Sequence, residues 1–116
     1  MKTVHTVPLE VLSSKSLGQF ETEPQEVGWA DEVLVFVYVR EVHGTGARLN
    51  LRPEVSADGA RWISFGDQCL TLDRVGATNL SLRHFGNWLR LVGDVAGDVP
   101  PGKAPFLVDI YYVLKG

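Results

Sequence analysis

From Glu32 to Val42 the chain reads EVLVFVYVREV, the strongest strand signal in the sequence. Its β-branched and aromatic residues suit a pleated backbone. Val33, Val35, Val37 and Val39 fall on one face and Leu34, Phe36 and Tyr38 on the other, so both faces are apolar until Arg40. A strand apolar on both sides either lies inside a layered core or turns its outer face to a partner. The segment Leu49 to Phe65, LNLRPEVSADGARWISF, alternates instead. Leu49, Leu51, Pro53 and Val55 interleave with Asn50, Arg52 and Glu54, the period-two pattern of a half-buried strand. Ser56-Ala57-Asp58-Gly59 then reads as a turn, with Gly59 supplying the positive φ that closes it, and Arg61 to Phe65 as the returning strand. This hairpin places Trp62 as the residue expected to pin two sheets together.

The same alternation recurs at lower amplitude. Met1 to Leu12 reads as an edge strand, because Pro8 cannot donate to a ladder. Gln19 to Pro24 reads as a short strand or arm. Cys69 to Leu72, Asn79 to Phe85, Trp88 to Val92 and Ala104 to Leu114 follow as strands. In the last, Phe106, Val108, Ile110 and Tyr112 oppose Leu107, Asp109, Tyr111 and Val113. Gly93 to Lys103, dense in glycine and proline, reads as the longest loop. No window carries apolar residues at helical spacing with caps. The pattern predicts an all-β antiparallel β-sandwich of about seven or eight strands, with a jelly roll as one arrangement that count permits. Residues 1–116 form one β-sandwich domain on this reading, with 1–31 a candidate extended N-terminal arm.

Composition changes this picture little. With 116 residues, 45% hydrophobic and 22% charged, the chain has the make-up of an ordinary globular domain. Its length supports a core without metal or disulfide staples. A net charge of −3 argues against nucleic acid or an anionic membrane as partner, since both favour a basic face. Cys69 is the single cysteine, which excludes an intrachain disulfide, and its place beside Leu70 predicts a buried, inert thiol. The N-terminus lacks the basic start and apolar run of a secretion signal. Synthesis in a reducing cytoplasm is therefore expected.

Candidate chemistry is sparse. His5, His43 and His84 fall on different elements with no metal-ligand spacing, so no metal and no cofactor is expected. Gly44-Thr45-Gly46-Ala47-Arg48 lacks both the ending of a phosphate loop and a following helix. Asp94 and Asp98 read as solvated loop charges, and neither Ser56 nor Ser64 has a nucleophile's setting. Asp109, mid-strand, calls for an arginine partner, with Arg40, Arg83 or Arg90 available. A glycosidase would need a second acid beside it, and none can be placed. No catalytic residue is assigned and the chain is not expected to be an enzyme. Trp29, Leu34, Phe36, Tyr38 and Tyr111 form the candidate interface set. Asp58, Gly59, Trp62 and Trp88 are assigned to turn and core.

The run Glu54-Val55-Ser56-Ala57-Asp58-Gly59-Ala60-Arg61-Trp62, followed by Phe85-Gly86-Asn87-Trp88-Leu89-Arg90-Leu91, resembles two groups of β-sandwich proteins. One comprises small virion structural proteins of tailed bacteriophages, capsid decoration or tail components, whose middle hairpin reads S-x-D-G-x-x-W. The other comprises discoidin-like and galactose-binding-like modules with a similar hairpin. A chain that starts at Met1 with no signal and no disulfide is more similar to the first. That resemblance implies a non-enzymatic protein made in a host cytoplasm and located in the virion, with capsid decoration placed ahead of a tail role. Its partners would be copies of itself and a capsid or tail lattice. The second resemblance implies a carbohydrate-binding module with a glycan ligand.

Overall fold

Period-two burial governs most of the longest strands of this computed structural model, which describes residues 4–8, 18–98 and 105–116. In chain order they are β1 (Val4–Pro8), β2 (Gly18–Glu21), β3 (Gln25–Glu26), β4 (Glu32–Val42), β5 (Thr45–Ser56), β6 (Ile63–Ser64), β7 (Leu70–Leu72), β8 (Gly76–Arg83), β9 (Trp88–Asp98) and β10 (Phe106–Lys115). All pairings are antiparallel. One sheet runs β1-β10-β4-β8 and the other β2-β9-β5-β6, with β3 also on β9 and β7 also on β5.

Because β2 and β3 share one edge of β9, and β6 and β7 share one edge of β5, the ten strands occupy eight strand positions. Numbered along the chain, those positions run 1-8-3-6 in one sheet and 2-7-4-5 in the other. That interleaving of two Greek keys is a jelly roll.

The inner faces meet in one core. Val33, Val35, Val37 and Val39 of β4 and Val108, Ile110, Tyr112 and Leu114 of β10 pack against Leu49, Leu51 and Val55 of β5 and Leu89 and Leu91 of β9. Phe20 of β2 pairs with Gly93 of β9, and a methyl group on Gly93 would overlap its ring. This close approach is why a glycine occupies a central strand.

Tyr112 is fully buried at the core centre, and its hydroxyl makes no hydrogen bond among the described residues. Burial pushes the phenol well above its ordinary range, and the nearby Thr22 hydroxyl, outside hydrogen-bond geometry, opposes that shift only in part. The Thr22 oxygen already accepts the Leu91 N–H at 2.9 Å. Removing an unpaired buried hydroxyl relieves its desolvation cost, so Tyr112→Phe should leave stability unchanged or raise it by about 1 kcal/mol. A loss of stability in denaturant titration would show that the hydroxyl has a partner.

Several expectations need correction. The N-terminal region does not extend as an arm where it is described, since β1, β2 and β3 all lie in the sheets; residues 1–3 and 9–17 lie outside the described residues. The returning strand of the hairpin shrinks from Arg61–Phe65 to Ile63–Ser64, because the preceding residues are held in a loop by Asp58. The loop expected from Gly93 starts later, since β9 continues to Asp98 and carries both Asp94 and Asp98. Cys69 is exposed and sits just before β7. Trp62 and Trp88 are only partly buried and lie outside the core cluster, on the outer side of the second sheet. The sheets are held together by aliphatic side chains, Phe106 and Tyr112.

Candidate functional site: the outer face of the four-stranded sheet

Alternation puts the even-numbered side chains of β4 from Glu32 to Arg40 and the odd-numbered ones of β10 on the solvent side of the first sheet. There Phe36 stands opposite Tyr111, Leu34 opposite Val113 and Tyr38 opposite Asp109, with Thr6 of β1 opposite Val113 on its other side. Thr6, Phe36, Tyr38, Arg40, Asp109, Tyr111 and Val113 line an open groove of about 700 Å³. Tyr38 and Tyr111 meet edge to face, with ring centroids 5.9 Å apart and planes at 76°, the geometry that aromatic quadrupoles favour. Tyr38 remains 41% exposed, so much of one ring stays open to a partner. At one end of the groove Arg40 Nε lies 2.9 Å from Asp109 Oδ2. Of the three arginines considered for Asp109, the register selects Arg40.

The candidate interface residues separate. Leu34, Phe36, Tyr38 and Tyr111 share this face. Trp29, 42% exposed, does not join them. It lies in the turn before β4 and packs on Gly116, at least six strand residues or ~20 Å from Tyr38 along β4. Thr6, Arg40, Asp109 and Val113 complete the groove and lie outside that interface set. Arg40 and Asp109 carried a signal, a charge pair in alternating strands, whereas Thr6 depends on a pairing between the two ends of the chain.

The outer side of the other sheet is built differently. Arg90 of β9 donates to Glu54 of β5 at 2.7 and 2.9 Å, lies 3.1 Å from Glu21 and stacks on the Trp62 ring at 4.4 Å. Beside it, the Asp58 loop covers Trp88. The Ser56 hydroxyl donates to Asp58 Oδ1 at 3.0 Å and accepts the Gly59 N–H at 2.8 Å, while Asp58 Oδ1 accepts the Ala60 and Arg61 amides, both at 2.9 Å. Those backbone donors, Arg61 first, hold the Asp58 carboxyl well below the usual carboxylate range. A lowered folded-state pKa stabilises the loop at neutral pH. That contribution fades as pH falls below the ordinary carboxylate value of 3.8. Gly59 has φ of 80°, and an added Cβ would sit 3.2 Å from the Trp88 indole. Gly59→Ala should therefore cost about 1 kcal/mol or more. Unchanged stability in a chemical melt would contradict this turn geometry.

No group of three or more metal-ligating side chains gathers among the described residues. What the first sheet offers is a partly apolar, aromatic surface with one charge pair, suited to recognition by contact.

No protein-family model matches the chain, and no curated protein matches its sequence. Solved structures do match in fold. The SPBc2 prophage-derived protein YomS superposes with TM-score 0.56 at 9% identity, covering 100% of this chain and 96% of that one. PirA superposes with TM-score 0.50 at 15% identity, over 95% of this chain and 92% of that one. A carbohydrate-binding module specific for non-crystalline cellulose matches more distantly, with TM-score 0.46 at 10% identity over 90% and 76% of the two chains. The resemblance read from the hairpin is thus met at the level of the β-sandwich fold.

Proposed function

We propose that the chain is a non-enzymatic structural protein of a phage or phage-like particle, located in the virion. It would dock the outer face of its four-stranded sheet on a capsid or tail lattice, with copies of itself as further partners. The observation that carries this reading is the solvent-side array of half-buried Leu34, Phe36, Tyr111 and Val113 around exposed Tyr38, uncovered by any layer among the described residues. Aromatic and aliphatic residues grouped on a rigid sheet are the composition of interface anchors. The prophage origin of a protein sharing the whole fold supports the particle setting. The test is co-sedimentation with particles assembled from the capsid and tail proteins encoded beside its gene. Wild type should pellet with them, and Tyr38→Ala/Tyr111→Ala should bind at least about tenfold more weakly, since hot-spot anchors are each worth upwards of 1 kcal/mol. No pelleting with any particle component would refute the reading.

A second reading rests on the groove itself. Tyr38 and Tyr111 offer ring surfaces, and Arg40 and Asp109 offer hydrogen-bonding groups, the combination that stacks on and orients a sugar. Binding on a glycan array that the same double substitution abolishes, without particle binding, would favour it.

A further inference from the structure

Sheet edges expose unpaired backbone donors and acceptors, and folded proteins blunt them with short strands, proline or charge. Three of the four edges in this sandwich follow that rule. The β2–β3 edge is split into strands of four and two residues and carries Glu21 and Glu26. The β6–β7 edge is split into strands of two and three residues. The β1 edge is five residues ending in Pro8. The fourth, β8, is eight residues long, GATNLSLR, with no proline and Arg83 as its one charge. Every residue from Gly76 to Arg83 is matched to β4 on one side, and among the described residues no strand lies on the other. The sandwich is also open along this side. Leu70, Leu72 and Leu80 are only partly buried, and a groove of about 300 Å³ runs between β7 and the start of β8, where Val75 is 61% exposed.

We infer that β8 pairs antiparallel with β8 of a second copy, joining two four-stranded sheets into one of eight strands. The side-chain pattern fits a two-fold axis near the strand centre. Centred on Leu80, it sets Leu80 against Leu80 and Thr78 against Leu82 on the core face, and Asn79 against Ser81 on the solvent face. Arg83 then faces Ala77. Centred on Asn79, Arg83 falls opposite Val75. In neither register do like charges meet, and the Arg83–Glu32 pair at 3.2 Å is retained. The partner's core-face residues would cover the half-open leucines, and the two outer faces would become continuous, doubling the area offered to a lattice. This deepens the reading of the chain as a self-associating subunit and rests on it.

Light scattering coupled to size exclusion, run from micromolar to millimolar protein, reads this directly. Wild type should shift from a 12.8 kDa species toward twice that mass. Asn79→Lys/Ser81→Lys places lysines opposite one another in both registers on solvent-facing positions. It should weaken the dimer roughly tenfold or more, because like charges directly across a ladder repel, with the thermal midpoint of the dilute monomer lowered at most slightly, since the Ser81–Glu32 hydrogen bond it removes is exposed. Tyr38→Lys, on the outer face, should leave the dimer intact. A dimer that survives the β8 lysines but is lost in Tyr38→Lys would overturn the edge pairing while leaving self-association standing. A wild-type monomer throughout the range would remove both.

Discussion

Gly93→Val should lower the unfolding free energy by about 3 kcal/mol, the upper range for overpacking a close-packed site. For a chain of this size that is about 10 °C in thermal midpoint. The reason is local and physical. Gly93 faces the core from the middle of β9, between β5 and β2, and the Phe20 ring fills the space a side chain would need. A valine either expels Phe20, stripping β2 from the sheet, or displaces β9 itself. Even Gly93→Ala meets the ring. The two residues should be coupled, so Phe20→Ala/Gly93→Ala should cost less than the sum of its single substitutions by about 1 kcal/mol or more. Additive effects in urea titration would show that Phe20 does not rest on Gly93.

Arg90→Ala is the second large effect, at about 2 kcal/mol, since breaking a partly buried pair leaves its partner charge unmatched. Arg90 and Glu54 side chains are 17% and 15% exposed, so the Glu54 carboxylate would keep little water in exchange. Loss of the stacking on Trp62 adds about 0.5–1 kcal/mol. The Glu21 contact contributes little, because that side chain is largely solvated. Arg90→Lys should recover only part of the loss, since a lysine ammonium cannot reproduce the planar fork by which Nε and Nη2 both donate to Glu54 Oε1. Full recovery would mean that charge alone, without the planar fork, holds the site.

Both sites show what could be read along the chain. Val33 to Val39 and Phe106 to Leu114 were legible because a period-two pattern directly encodes which face is buried, and the Asp58–Gly59 turn because turn chemistry is local. From Gly93 on, the glycines read as loop, yet residues 93–98 form the second half of β9. The compensating Phe20 lies more than seventy residues earlier, a pairing no local window contains. An in-strand position predicts a core role for Trp62, but its indole serves as a lid over Arg90. The start of the strand expected from Arg61 to Phe65, Arg61 and Trp62, gives way to a loop tied by Asp58. Cys69 was read as buried on the apolar character of its neighbour Leu70, although β7 starts only at Leu70. On the outer face, Leu34, Phe36, Tyr38 and Tyr111 could be grouped from alternation within β4 and β10. That Thr6 and the Arg40–Asp109 pair complete the groove follows from the strand order of the jelly roll, which brings β1 beside β10.

On the proposed reading, the chain meets its partner through the outer face of the four-stranded sheet. A photo-reactive phenylalanine analogue placed at Tyr38, with a control at Ile63, 67% exposed on the opposite sheet, tests it most directly. Irradiated on assembled particles, the probe at position 38 should yield adducts with a capsid or tail protein, and the probe at position 63 should yield none. Adducts from position 63 with none from position 38 would contradict the assignment of this face.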